Sequence, residues 1–156
     1  MIEQFRELLS YDPETGVFSW LVTRRFRAGT IAGSISWNGY RFIAISGRRF
    51  PAHRLAWLFV NGRWPIGQID HVNGCRDDNR ITNLREASWS QNQANSRKHR
   101  DSKSPYKGVR PHGEKWASNI CVDGCRQYLG LFDTAEEAHA RYCEAAQDCF
   151  GEFWRG

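Results

Sequence analysis

A chain of 156 residues and 18.1 kDa has room for one ordinary domain or two small ones, and with 40% hydrophobic and 13% aromatic residues it can bury a core, which excludes a disordered tail. Its net charge of +5 is unevenly placed, at +5 over residues 1–69, −1 over 70–96, +5 over 97–110 and −4 over 111–156, an order that fits a polyanionic partner. No apolar stretch approaches a membrane span, Met1 to Ser10 carries no signal-peptide core, and the five cysteines (Cys75, Cys121, Cys125, Cys143, Cys149) include no C-x2-C pair, so the expectation is a cytosolic, non-secreted chain with reduced thiols and no structural zinc.

Turn residues cut the first third into short strands. Tyr11 to Gly16 is a turn, and Val17 to Val22, Ile31 to Ser36 and Tyr40 to Ser46 are strands, the last two straddling Trp37-Asn38-Gly39. Asn38-Gly39 predicts a hairpin in which both turn residues take positive φ. From Pro51 the period changes: Leu55, Ala56, Leu58 and Phe59 share a helical face, and Asn61-Gly62 ends it. Ile66 to His71 reads as a strand, and Val72 to Asn83 as a loop dense in Asn, Asp and Gly, long enough to suggest function. After Leu84 to Ala87, Ser88-Trp89-Ser90-Gln91 matches a capping box, so a helix begins at Trp89 and runs through Asn92 and Asn95.

Residues 97–103 form a basic linker without periodicity; extended, 97–110 would reach about 45–50 Å. Beyond it Tyr106 to Arg110, Lys115 to Val122 and Arg126 to Phe132 are strands, turned at His112-Gly113 and Asp123-Gly124. Thr134-Ala135-Glu136-Glu137 is a second capping box, and Ala135, Ala138, Tyr142, Ala145 and Cys149 form an apolar stripe on the helix that follows. The fold class is α+β: an N-terminal antiparallel sheet with a strand–loop–strand–helix core, then a three-stranded antiparallel sheet packed on one α-helix.

The elements Asp70-His71, Asn83-Leu84 and Gln91-Asn92, with His53-Arg54-Leu55 upstream, resemble the HNH homing-endonuclease family, whose ββα-metal site is built in that order. The resemblance covers residues 50–96 and, with the sheet at 10–50, gives a nuclease domain over 1–96, similar to free-standing phage enzymes. It implies His71 as general base, Asn83 as the residue that fixes the loop, and Asp70 and Asn92 as oxygen ligands of one Mg²⁺ or Mn²⁺ ion. Hydrolysis of double-stranded DNA, by nicking or cutting, would leave a 5′-phosphate and a 3′-hydroxyl. His53 either packs structurally or bonds a phosphate, Arg54 is a phosphate contact, and Asp77, Asp78 and Asn79 either add a ligand or solvate the loop.

Residues 104–153 resemble the Apetala/ethylene-response-factor DNA-binding domain through Tyr106-Lys107-Gly108-Val109-Arg110 and through Leu129-Gly130-Leu131-Phe132, Thr134, Glu136 and Ala138. That resemblance implies a sheet laid on DNA through Lys107, Arg110, Lys115, Trp116, Asn119, Arg126 and Tyr128, with Trp116 alternatively a core aromatic, while the basic charge of the linker's Arg97, Lys98, Arg100 and Lys103 suits them to track the backbone. No obligate protein partner is evident, and a monomer or weak dimer is expected. The competing reading is a catalytically inactive DNA-binding or regulatory protein that keeps the fold.

Overall fold

The structure, a computed structural model, describes residues 2–21, 27–96, 98 and 102–155. Contacts group the chain into two compact units, residues 1–86 and 87–156. Among the described residues no helix is long and apolar enough to cross a membrane.

The first unit begins with α1 (Ile2–Leu8), which buries Phe5, followed by β1 (Leu9–Asp12) and β2 (Val17–Trp20), an antiparallel pair running from Leu9↔Trp20 to Asp12↔Val17. The sequence reading placed Tyr11 and Asp12 in a turn. They pair as strand because the Asp12 carboxylate folds the next residues back by itself, accepting from the Glu14 N–H at 2.9 Å and the Thr15 hydroxyl at 2.8 Å. The strand predicted from Val17 to Val22 ends at Trp20, and Val22 lies outside the described residues.

A separate sheet follows, of β3 (Ser34–Ile35), β4 (Arg41–Ile45) and β5 (Arg48–Pro51) in that order. It corrects two expectations. Ile31 makes only an isolated bridge to Ser19, which leaves β3 two residues long. The tight turn with positive φ at both central positions is Ser46-Gly47 (φ 49° and 78°), unrecognised in the sequence, whereas at Asn38-Gly39 only the glycine is left-handed (φ 86°). The Asn38 amide oxygen instead accepts the Tyr40 N–H at 3.3 Å.

Pro51 closes β5 and caps α2 (Ala52–Asn61), which buries Ala52, Leu55, Ala56 and Leu58 and ends at left-handed Gly62 (φ 70°). Together with Leu9, Phe18 and Ile43 these form the main core; fully burying each large apolar side chain contributes roughly 1.5–3 kcal/mol. This core is the platform for β6 (Gln68–His71) and β7 (Leu84–Ala87), which pair as a two-stranded sheet across the 72–83 loop.

The second unit opens with α3 (Trp89–Asn95). Its capping box is formed in both directions: Ser88 Oγ accepts from the Gln91 N–H at 3.2 Å, and Gln91 Oε1 accepts from the Ser88 N–H at 2.8 Å. Then come β8 (Val109–His112), β9 (Lys115–Val122) and β10 (Cys125–Phe132), a sheet with β9 in the centre, and α4 (Ala135–Phe150), capped by Thr134 and Glu137. Tyr106 and Lys107 fall before β8, in a turn that needs Gly108 (φ 75°), where a Cβ would enter the Tyr142 ring. On α4 the apolar stripe ends in Ala146 and Phe150, while the predicted Cys149 is exposed. Cys121 pairs with Arg126 and Cys125 with Val122, which puts the two thiols on opposite faces of the hairpin and out of reach of a disulfide.

Candidate active site

His71 ends β6, and the chain then turns, with the Gly74 N–H donating to the His71 carbonyl at 2.7 Å. Asp70 and His71 are 3% and 4% exposed, so both side chains sit in protein rather than in bulk water. Burial is the main force on the imidazole and lowers its pKa below the usual histidine value, against the opposing pull of the Asn79 hydrogen bond and of Asp70 and Asp78. His71 is therefore neutral at pH 7, as a general base must be.

Asn79 faces the ring. The Asn79 amide nitrogen donates to the Asp77 carbonyl at 3.2 Å, which turns its oxygen toward His71 Nε2 at 3.4 Å. An amide oxygen only accepts, so this contact is a hydrogen bond in the tautomer that carries its proton on Nε2, the form whose basic nitrogen is Nδ1. Asn79 is 1% exposed and is held in turn by Tyr11, whose hydroxyl donates to its carbonyl at 2.7 Å. Sequence reasoning left Asn79 between ligand and loop solvation; nothing in the local pattern shows that a residue eight positions away faces the imidazole.

Asn83 bridges the loop at two points. Its side-chain oxygen accepts the Asn73 N–H at 3.0 Å, and its amide nitrogen donates to the Asp78 carbonyl at 2.8 Å, while its backbone carbonyl accepts from Val72 at 2.9 Å. Outside these bonds, Arg41 of β4 grips Asp77 through Nε and Nη2 at 2.8 and 2.9 Å, and the Ile81 N–H donates to Pro13. Arg80 holds Asp78, whose pKa falls to about 2, chiefly through that pairing.

Asp70 is fixed by Arg85 of β7, with Nε and Nη2 both 2.9 Å from Oδ2. The sequence reading missed Arg85, which is legible only once β6 and β7 are paired. His53 lies edge-on to His71, ring centroids 5.3 Å apart, and Tyr40 contacts both rings. Burial, with lesser repulsion from His71 and Arg54, takes the His53 pKa down to about 3, and its buried Nδ1 has no hydrogen-bond partner, so it is a neutral packing ring. Arg54 is spent on the chain itself, donating to the carbonyls of Gly67 at 3.0 Å and Pro65 at 3.1 Å.

Among the described residues no group of three or more His, Cys, Asp and Glu side chains could hold a metal ion. What the chain offers beside His71 is a carboxylate and amide oxygens, hard donors that fit Mg²⁺ or Mn²⁺ rather than zinc. Asn92 is half-buried on α3, in the second unit.

The residues expected to meet DNA in the second unit divide. Arg110, Lys115, Arg126 and Tyr128 are exposed, Lys115 being paired with Asp133 at 2.9 Å, and Asn119 is half-buried. Arg110, Asn119 and Arg126 line a groove of about 440 Å³ with Trp89 and Gln93 of α3. Trp116 packs with Val109, Ala135 and Ala138 on the α4 side, so its core role is the one formed. Lys107 donates to the carbonyls of Gln93, Ala94 and Ser96 at 2.7–2.8 Å and caps α3 instead of facing outward. Lys98 reaches the Ser104 carbonyl at 3.0 Å and Lys103 is exposed, while Arg97 and Arg100 lie outside the described residues.

Compared with known proteins, residues 50–94 match the family model described as HNH endonuclease, a match that supports a nuclease acting on DNA. No curated protein and no solved structure matched the chain.

Proposed function

We propose that this chain is a metal-dependent endonuclease that hydrolyses phosphodiester bonds in double-stranded DNA, nicking or cutting, with His71 as general base and the second unit supplying DNA binding and site selection. The observation that carries the reading is His71 itself, a buried, neutral imidazole whose Nε2 faces the Asn79 amide oxygen, next in the chain to Asp70, inside the stretch that matches the nuclease family.

In the proposed reaction His71 Nδ1 takes a proton from water as its oxygen attacks phosphorus, and the bond to the 3′ oxygen breaks, that oxygen taking a proton from solvent water, which gives a 5′-phosphate and a 3′-hydroxyl. Asp70 and Asn92 are the proposed metal ligands. Held by these oxygens, a divalent ion would supply charge neutralisation for the hydrolysis. Asn83 and Asn79 hold the loop and the imidazole in place. Arg110, Asn119, Arg126 and Tyr128 are the proposed DNA-facing residues of the sheet.

Supercoiled plasmid incubated with wild type and with His71→Ala, with and without Mg²⁺ or Mn²⁺, tests the reading. Wild type is expected to relax plasmid only with metal, and His71→Ala to be slower by at least about a hundredfold, the usual size of a general-base contribution. Equal relaxation by the two proteins removes His71 as base, and binding without cleavage under every metal condition gives the inactive DNA-binding protein.

A further inference from the structure

Trp37 is 97% exposed, a rare state for the side chain that gains most from burial. It stands in the turn between β3 and β4, closed by the Ser36 N–H to Tyr40 carbonyl bond at 2.8 Å and by Gly39 N–H to Ser36 carbonyl at 2.8 Å. The turn is tied to the candidate active site at two points. Arg76, from the 72–83 loop, donates to the Asn38 carbonyl at 2.8 Å and lies 4.9 Å over the Tyr40 ring. Tyr40 itself has its ring centroid 5.9 Å from that of His71. One short turn thus offers a bare indole to solvent, an exposed cation beside it, and a ring packed on the proposed base.

We infer that Trp37 stacks on a DNA base next to the bond that is cut, with Arg76 beside it on the phosphate backbone. The inference rests on the nuclease reading for its substrate and names a DNA-positioning element outside the 50–94 family match. An indole offers a base a flat apolar face, and base–aromatic stacking strengthens binding by about tenfold or more while tolerating sequence. Duplex DNA fits both features of the turn where a base step is opened: the indole enters as a wedge against the unstacked base and the guanidinium neutralises the adjoining phosphate. Fixing the turn to the loop through Arg76 and Tyr40 sets where along the strand the base is gripped relative to His71.

The test uses the full chain carrying His71→Ala, which leaves DNA intact, bound without metal to a plasmid-derived duplex with 5-iodouracil in place of thymine. Long-wave irradiation followed by trypsin and mass spectrometry is expected to give a DNA adduct on peptide 28–41, localised to Trp37. Adding Trp37→Ala should remove the adduct and weaken binding about tenfold with an unchanged melting temperature, and Trp37→Phe should restore most of the affinity. Binding with no Trp37 adduct, or unchanged affinity in Trp37→Ala, overturns the inference and leaves the nuclease reading standing. A Trp37 adduct from a protein whose wild type never relaxes plasmid keeps the inference as a DNA contact and removes the nuclease.

Discussion

At the scale of single residues, the candidate site depends on who supports His71. Burial lowers its pKa, and the neutral form is the proposed base, so kcat/KM should rise with pH along a limb centred below the ordinary value of about 6.5 and stay level above it. A cation near Asp70 would push the limb further the same way. Asn79 lets this be tested without touching the base. Asn79→Ala removes the acceptor at Nε2 and is expected to lower kcat about tenfold to a hundredfold with little change in KM. Asn79→Asp restores an acceptor but adds a negative charge that favours imidazolium, so activity should partly return with the acid limb moved to higher pH. A pH–rate series on the two variants checks both parts. If Asn79 were only loop solvation, the two would behave alike and the limb would stay where it is.

At the scale of elements, the same loop ties the N-terminal hairpin to the site. Gly16 has φ 73°, and a Cβ there would collide with the backbone of Asn79 and Arg80. Gly16→Ala should therefore cost about 2 kcal/mol or more of stability and lower kcat further than that loss explains, because the displaced atoms adjoin the residue that orients His71. Thermal melting alongside plasmid relaxation at a temperature where the variant is folded separates the two effects. Such coupling explains what the sequence discloses. Both capping boxes, α2 with its Gly62 stop and the Asp123-Gly124 turn are local bargains between neighbours, and a linear pattern displays them. The candidate residues Asp70, His71 and Asn83 are singled out by the same kind of local pattern, since their spacing follows the strand–loop–strand order that β6, the 72–83 loop and β7 form. Asn79, Arg85 and Arg41 act across gaps of 8, 15 and 36 positions, and only the folded chain brings them to their partners. The hairpin turns show the converse: Asn38-Gly39 has the stronger left-handed signal, but Arg76 and the Asn38 side chain hold it otherwise, and Ser46-Gly47 takes the tight form because β4 and β5 pair across two residues.

At the scale of the whole molecule, the helix that carries Asn92 does not belong to the same compact unit as Asp70 and His71. Ala94 of α3 packs with Ile120, Tyr142 and Phe150, the Ser90 hydroxyl accepts from the Asp123 N–H at 2.8 Å, and Lys107 caps its last carbonyls. Lys107 separates the possibilities, because a cap and a phosphate contact fail differently. Burial brings its pKa down to about 8, so it is still mostly cationic at neutral pH, where three carbonyls at the negative end of α3 take its charge. Lys107→Gln is expected to lower the melting temperature and the cleavage rate while the slope of log affinity against log salt stays unchanged. Arg126→Gln, at an exposed position on β10, should do the reverse, reducing that slope by about one while stability and kcat hold. Salt titrations of DNA binding, run beside melting curves on the two variants, read out both. A reduced slope in Lys107→Gln would return this lysine to the DNA-facing set, and α3 would then need another explanation for where its terminal carbonyls find their charge.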